Sequence, residues 1–216
     1  MTMMDESALK IAEFLLKIKA VKLQPSKPFT WASGLKSPIY CDNRITLSFP
    51  NVRTYIRQQF AELIAHHFAK PDVIVGVATG GIAHGALVAE EMGLPFAYVR
   101  SEAKSHGMKN LIEGIITEGQ DVVVVEDLVS TGKSSLNAVN ALQEIKCNVK
   151  GMVAIFSYQF NESEEKFRKA KIPLVTLSNY NTLIEIAVEK NYISAAELES
   201  LREWRNDPKT WSQKHS

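Results

Sequence analysis

Two adjacent carboxylates stand directly before a turn rich in serine, threonine and glycine. The segment at 122–135 reads Val-Val-Val-Val-Glu-Asp-Leu-Val-Ser-Thr-Gly-Lys-Ser-Ser, so four apolar residues lead into Glu126 and Asp127. Backbone N–H groups at a helix start bind anions, and Gly132 lets a phosphate approach closely. Carboxylates repel phosphate, but they accept hydrogen bonds from hydroxyl groups and bind metal ions. Both features together predict a site for a phosphorylated sugar.

Two other interpretations of this segment are weaker. Gly132-Lys133-Ser134 resembles the end of a nucleotide-binding P-loop, but that loop requires a glycine at the position of Asp127. A carboxylate there would repel the phosphates, which argues against a P-loop kinase or NTPase. A capping turn without function is the other alternative, and it leaves two carboxylates beside a buried strand without a compensating role.

A second glycine-containing turn follows another apolar stretch. The segment at 76–85 reads Gly-Val-Ala-Thr-Gly-Gly-Ile-Ala-His-Gly, and the backbone amides of Thr79, Gly80 and Gly81 suit a pyrophosphate. The G-x-G-x-x-G pattern of dinucleotide-binding proteins is absent. On its own, this segment is explained equally well by a simple tight turn.

The segment at 100–114 is long, polar and basic. It carries Arg100, Lys104, His106 and Lys109, and few apolar residues. Long loops in compact domains are usually functional lids or disordered segments. Cations on a closing lid could neutralise a leaving pyrophosphate and exclude water. An exposed basic loop without function is the alternative.

The composition excludes several classes of protein. The chain has 216 residues with 25 Lys+Arg and 24 Asp+Glu, a net charge of +1, which argues against nucleic-acid binding through a global positive field. No apolar stretch approaches the ~18 residues that a membrane-spanning helix needs. Cys41 and Cys147 lack metal-site or disulfide spacing, and the N-terminus lacks a signal-peptide pattern. A cytoplasmic protein without a dedicated metal site is expected.

Short stretches that are apolar at every position indicate strands buried on both faces, and hence a parallel sheet between helices. These stretches are Val73–Val77, Phe96–Val99, Asp121–Glu126, Val149–Phe156 and Leu174–Leu177. Helical patterns follow at Ile82–Met92, Lys133–Ile145 and twice within Thr182–Arg205, the last opened by a Ser194/Glu197 capping box. The prediction is a doubly wound α/β fold, whose ligands bind beyond the carboxyl ends of the strands.

The first 70 residues have a different pattern. Helices are predicted over Asp5–Ile18 and from Pro50 to about Ala69, with short strands at Phe29–Ser33 and Ser37–Asp42 between them. We therefore divide the chain into an N-terminal region at 1–70 and a core with C-terminal helices at 71–216.

These segments together resemble a type I phosphoribosyltransferase. The stretch from Val122 to Ser134 is similar to that family's signature of four apolar residues, two acids and a Ser/Thr/Gly turn. Phe-Thr-Trp-Ala-Ser-Gly-Leu-Lys-Ser-Pro-Ile-Tyr-Cys-Asp-Asn-Arg at 29–44, and Tyr-Val-Arg with Lys-Ser-His-Gly at 98–107, resemble the orotate-specific branch. The resemblance covers about residues 5–205.

The resemblance implies transfer of the phosphoribosyl group from 5-phosphoribosyl 1-pyrophosphate (PRPP) to orotate, giving orotidine 5'-monophosphate and pyrophosphate for pyrimidine biosynthesis. The residues implied to bind PRPP are Arg100, Lys104, His106, Glu126, Asp127, Leu128, Val129, Ser130, Thr131, Gly132, Lys133 and Ser134. Thr79, Gly80 and Gly81 would line a pyrophosphate loop. Ser130, Ile39 and Tyr40 would contact orotate, the last two from a hood within 1–70. The implied catalytic residues are Lys104, Arg100, His106 and Asp127.

The resemblance also implies a cofactor and an assembly. Mg²⁺ would be held mainly through substrate oxygens and water. The chain would form a homodimer in which the lid acts on the neighbouring subunit, with no nucleic-acid or membrane partner.

The chain departs from many relatives at four places. Ala32, Ser101 and Gly80 stand where lysines are common, and Ser157-Tyr158-Gln159 lacks an orotate-contacting arginine. Lys36 or Arg44 is the hypothetical replacement for that arginine.

Two alternative functions stay open at this point. Another base-specific phosphoribosyltransferase would combine the same PRPP site with a different base. A PRPP-sensing regulator would bind the ligand without turnover, although the sequence has no helix-turn-helix extension and no basic face.

Overall fold

The computed structural model describes residues 3–31, 33–101 and 111–215. Its elements in chain order are α1 (Met3–Lys17), β1 (Val21–Leu23), β2 (Phe29–Thr30), β3 (Lys36–Ser37), β4 (Ile39–Cys41), a 3₁₀ helix (Asn43–Ser48), α2 (Pro50–His67), β5 (Val73–Val77), α3 (Gly80–Met92), β6 (Phe96–Val99), β7 (Ile112–Glu113), β8 (Asp121–Val129), α4 (Lys133–Glu144), β9 (Asn148–Ser157), α5 (Asn161–Ala170), β10 (Leu174–Asn179), α6 (Tyr180–Glu189), α7 (Ala195–Asn206) and α8 (Pro208–Lys214). Among the helices of these residues, none has the length and apolar character needed to cross a bilayer.

The central sheet contains six strands in the order β10-β9-β8-β5-β6-β7. Neighbouring strands are parallel except at one edge, where β7 runs antiparallel to β6. Val123 and Val125 of β8 face a core shared with α1, α2, α3, α6 and α7, whereas Val122 and Val124 face a second core shared with α4 and α5. Continuous burial of these valines on both faces confirms the predicted doubly wound α/β fold.

The strand order reverses between β5 and β8. The chain passes from β5 to β6 on one side, and it then returns to place β8 on the other side of β5. A crevice forms at such a switch point beyond the carboxyl ends of the two strands. The turns after Val77 and Val129 both open at this crevice.

The N-terminal region wraps around one face of the sheet. α1 contacts α6 and β10, and Ile11 and Leu15 of α1 belong to the same core as Val123. Between α1 and α2, β1 pairs with β4 and β2 pairs with β3, both antiparallel. We call residues 21–42, with Ala32 outside the described residues, the hood.

Several elements differ from the sequence prediction. β8 continues past Glu126 to Val129, because Leu128 and Val129 still pair with β9. The strand predicted over Phe29–Ser33 ends at Thr30, since Gly34 takes a left-handed conformation (φ 85°) and turns the chain. β1, the 3₁₀ helix, α5 and α8 were not predicted. The Ser194/Glu197 capping box of α7 is confirmed.

Candidate active site

The end of β8 presents Glu126 and Asp127 in different surroundings. Glu126 is buried, with 4% of its surface exposed, and its carboxylate accepts hydrogen bonds from the Ser135 hydroxyl (3.1 Å) and the Asp127 N–H (3.0 Å). Burial, and secondarily the charge of Asp127, raises the pKa of Glu126 well above its usual value. Asp127 is half-buried. Glu126 therefore ties the strand to the first turn of α4, whereas Asp127 turns toward the crevice.

The turn after β5 packs directly against Asp127. A Cβ placed on Gly80 would overlap the Asp127 carboxyl group, and one on Gly81 would overlap the Val125 carbonyl oxygen. Only glycine permits this approach. The peptide bond between Ala78 and Thr79 is cis. The structure thus brings Gly80 of the predicted pyrophosphate loop, Thr79–Gly81, into contact with the carboxyl group of Asp127.

The turn after β8 has the form of an anion cradle. Gly132 adopts a left-handed conformation (φ 74°) at the N-cap of α4. Because glycine has no side chain, this position offers no side-chain acceptor to the first N–H groups of the helix. The first N–H groups of a helix lack acceptors within the helix, so they can bind an anion. Ser130, Gly132 and Ser134 follow Asp127 in this turn. The sequence prediction of a phosphate cradle is geometrically consistent with this arrangement.

α5, a helix that sequence patterns did not predict, lies under the cradle. A Cβ on Gly132 would lie 3.1 Å from the Phe167 ring, which is buried in the second core. The Lys166 ammonium donates to the Thr131 carbonyl oxygen (3.3 Å) and pairs with Glu162 (2.6 Å). α5 therefore supports the cradle from the side opposite the crevice.

Of the three lid residues predicted to bind pyrophosphate, Arg100 is the one within the described residues. It follows β6, its N–H donates to the Leu111 carbonyl oxygen (2.7 Å), and its guanidinium lies 3.5 Å from the Glu113 carboxylate. The Ala78 N–H donates to the Val99 carbonyl oxygen (2.8 Å). Arg100, the next residue after Val99, therefore lies at the same sheet edge as the pyrophosphate loop. Lys104 and His106 lie outside the described residues.

The hood places Ile39 and Tyr40 differently. The Ile39 side chain is fully buried in the core, and its carbonyl oxygen accepts from Trp31 Nε1 (3.2 Å) and the Ser37 hydroxyl (2.8 Å). Tyr40 is 41% exposed, with its ring 5.7 Å from that of Phe29. Of the two residues predicted to contact orotate from the hood, Tyr40 therefore presents an accessible side chain.

The two candidate replacements for the missing arginine have local partners. Arg44 forms a two-point ion pair with Asp42, at 2.7 and 2.9 Å. This pair lowers the pKa of the Asp42 carboxyl. The Lys36 ammonium donates to the Thr30 hydroxyl (3.0 Å) within the hood. Their roles toward orotate stay predictions.

Sequence reasoning missed Asn43 and His84 as neighbours of this site. Both are buried, and the Asn43 amide donates to the Asp127 carbonyl oxygen at 2.6 Å. The contact joins residues 84 positions apart, so local patterns gave no signal of it.

The donor set is compatible with Mg²⁺. Within the described ranges, no group of three or more His, Cys, Asp or Glu side chains is placed to hold a metal ion. Glu126 and Asp127 offer carboxylate oxygens, which Mg²⁺ prefers, and this ion usually keeps substrate oxygens and water among its ligands. The residues therefore fit an ion that arrives with the substrate.

Known proteins resemble this chain over nearly its whole length. Residues 47–189 match the family model of the phosphoribosyl transferase domain. The chain is 54% identical to the orotate phosphoribosyltransferase of Bacteroides thetaiotaomicron over 93% of this chain and 94% of that protein. It is 52% identical to that of Listeria innocua, over 94% and 97%. The crystal structure of orotate phosphoribosyltransferase from Aeropyrum pernix aligns with a TM-score of 0.74 at 27% identity, covering 85% of this chain and 99% of that one. The chain belongs to the orotate phosphoribosyltransferase family.

Proposed function

We propose that this chain transfers the 5-phosphoribosyl group from PRPP to orotate, forming orotidine 5'-monophosphate and pyrophosphate. The observation that carries the proposal is the contact between the Asp127 carboxyl group and Gly80 beside the cradle at Gly132. A ribose held at Asp127 would have its pyrophosphate at Thr79–Gly81 and its 5-phosphate at the start of α4. PRPP carries a pyrophosphate on C1 and a single phosphate on C5, at opposite ends of the ribose, and the spacing of the loop and the cradle on either side of Asp127 matches this arrangement.

The reaction requires no protein nucleophile. The bond between C1 of the ribose and the pyrophosphate breaks with oxocarbenium character. N1 of orotate attacks from the opposite face, and its proton passes to the released pyrophosphate. Glu126 and Asp127 hold the ribose hydroxyls, the cradle fixes the 5-phosphate, and the amides of the pyrophosphate loop bind the leaving group. Catalysis then comes from positioning and from stabilising the departing charge. Mg²⁺, when bound with PRPP, supplies further positive charge for the pyrophosphate.

The lid completes this charge stabilisation. Arg100, Lys104 and His106 contact the pyrophosphate in our proposal. Closure of the lid then excludes water from the oxocarbenium-like ribose. The position of Arg100 at the edge shared with the pyrophosphate loop supports this role.

We also propose a cytoplasmic homodimer in which lid residues are shared across the two subunits. Sedimentation of the purified protein tests this: a single 24 kDa species at micromolar concentration would reject the dimer.

A panel of bases tests the substrate. The protein is incubated with Mg²⁺, PRPP and either orotate, uracil, adenine, guanine or hypoxanthine, and pyrophosphate release is followed. We expect release with orotate alone. Release only with another base would reject orotate but keep the transferase chemistry, and saturable PRPP binding without release on any base would favour a regulator.

A further inference from the structure

A cluster of buried polar side chains lies behind Asp127. Asn43 and Thr46 of the 3₁₀ helix are fully buried, and His84 of α3 is 2% exposed. We call these three residues the Asn43 cluster. Buried polar groups are costly unless their hydrogen bonds are satisfied, so the contacts within the cluster define its geometry.

Asn43 uses both ends of its amide. Its Nδ2 donates to the Asp127 carbonyl oxygen at 2.6 Å, and its Oδ1 accepts from the Cys41 thiol at 3.2 Å. Burial, together with the nearby carboxylates of Asp127 and Asp42, raises the pKa of Cys41, so this residue remains a thiol donor. The two contacts fix which way the amide points, because a flipped amide would set Nδ2 against the thiol and Oδ1 against a carbonyl.

Thr46 and His84 hold the backbone of Asn43 in turn. The Thr46 hydroxyl donates to the Asn43 carbonyl oxygen at 2.5 Å, and His84 Nε2 lies 3.3 Å from the same hydroxyl. Since the hydroxyl donates its only hydrogen to the Asn43 carbonyl oxygen, it can only accept from His84, and Nε2 is the donor in this contact. Burial lowers the pKa of His84 to about 4, so the ring is neutral near pH 7.

The cluster connects the three parts of the site. Asn43 follows the hood, His84 lies one helical turn after Gly80 on α3, and Asp127 lies near the carboxyl end of β8. Gly80 and Asp127 are themselves in contact. A shift of the Asp127 carbonyl would therefore move its carboxyl group against the pyrophosphate loop.

We propose that Asn43 is a positioning residue, which holds the main chain of Asp127 so that the carboxylate meets the PRPP ribose beside the pyrophosphate loop. This inference rests on the proposed function. Asn43 touches no substrate in this scheme and acts only through Asp127. Its loss should weaken PRPP binding and turnover, and it should leave the orotate KM nearly unchanged.

Asn43→Ala tests the proposal against Asn148→Ala. Asn148 makes the same type of hydrogen bond at an exposed position away from the site, at the amino end of β9, where its Nδ2 donates to the Gly119 carbonyl oxygen at 2.9 Å. We expect Asn43→Ala to lower kcat/KM for PRPP by about tenfold to a hundredfold, and Asn148→Ala to change it less than about twofold. A folded Asn43→Ala variant with unchanged kcat/KM would overturn the proposal.

A double variant separates positioning from general destabilisation. Because Asn43 acts through Asp127, Asn43→Ala/Asp127→Asn should be no slower than Asp127→Asn alone. Rates that fall multiplicatively, in variants whose melting temperatures show them to be folded, would overturn the proposal.

Calorimetric titration with Mg²⁺ and PRPP keeps this test independent of the base. If the wild type binds PRPP but does not turn over orotate, the proposed function fails, and weaker PRPP binding by Asn43→Ala would still support the positioning role. Equal PRPP affinity of the wild type and Asn43→Ala would overturn it.

Discussion

The chemistry of the site depends on single residues in very different surroundings. Glu126 is buried and bound to Ser135, whereas its neighbour Asp127 is half-buried beside Gly80. The sequence predicted a functional role for this acidic pair, because two carboxylates directly after a buried valine strand have few structural uses. It could not predict the asymmetry within the pair, which depends on α4 and α3 packing around it.

Gly80→Ala should impair catalysis more than it impairs folding. The added Cβ overlaps the Asp127 carboxyl group, so the carboxylate must move. We expect kcat/KM for PRPP to fall at least about tenfold. Gly93→Ala at the other end of α3 is the matched control: Gly93 has φ 62° and open space around its Cα, so the change strains the backbone and lowers the melting temperature without affecting the rate. Equal kcat/KM for both variants would contradict the close approach at Gly80.

Lys104→Ala tests whether a single positive charge of the lid contributes to catalysis. The variant should lower kcat by about a hundredfold, the order of effect seen when one donor to a developing charge is removed. Lys22→Ala, at the exposed position of β1, is the control and should keep the wild-type kcat. Comparable kcat values for the two variants would refute the role of Lys104.

His84 makes the folded state sensitive to mild acid. Its pKa is about 4 in the folded protein against an ordinary 6.5, so the unfolded chain binds the proton more tightly between these values. Stability is unaffected above pH 6.5 and falls as the pH drops toward 4, by about 2 kcal/mol at pH 5. Urea unfolding at pH 7 and pH 5 measures this.

The difference between the two pH values should shrink in His84→Gln. His66→Gln, on the exposed surface of α2, should behave as the wild type. An acid sensitivity that is identical in the wild type and His84→Gln would show that other groups cause it.

At the scale of elements, the C-terminal tail holds the hood. The Ser212 hydroxyl of α8 accepts from the Lys36 N–H at 2.8 Å, and the Trp204 ring of α7 stacks edge-on against Trp31 at 5.6 Å. Trp204 and Trp211 are fully buried in the core. The tail thus fixes the part of the chain that we propose to cover orotate.

Ser212→Ala should therefore raise the KM for orotate and spare the KM for PRPP. Losing the acceptor for Lys36 loosens β3, and we expect a rise of about threefold to tenfold. Ser200→Ala removes a similar hydroxyl, the acceptor of Trp211 Nε1 (3.0 Å), without touching the hood. Steady-state kinetics with each substrate varied in turn measures both constants. A larger effect of Ser212→Ala on PRPP than on orotate would contradict this assignment.

Sequence patterns predicted the elements whose burial is uniform, and they missed those fixed by distant contacts. The valines of β5 and β8 predicted central strands because both of their faces are covered. α5 was missed because it buries only Ser163 and Phe167, too few residues for a helical stripe. The hood strands were predicted too long, since Gly34 and Pro38 interrupt them and leave strands of two or three residues.

At the scale of the whole molecule, the sheet has one face packed against the larger core and one edge that carries the predicted site residues. Residues from both ends of the chain, including Leu15 and Leu201, share one core behind the sheet. The carboxyl ends of β5, β6 and β8 bring the pyrophosphate loop, Arg100 and the carboxylates to one edge. The sequence predicted that these segments share one edge because each follows an apolar strand, whereas Asn43 reaches Asp127 through a contact between residues 84 positions apart, which no local pattern indicates.

The most direct test of the central claim measures orotate and pyrophosphate in one reaction. Purified protein is mixed with Mg²⁺, PRPP and orotate, and loss of orotate absorbance is compared with pyrophosphate released over the same interval. We predict equimolar amounts, and a rate about a hundredfold lower in Asp127→Asn. Pyrophosphate release without loss of orotate, or an unchanged rate in Asp127→Asn, would contradict the account.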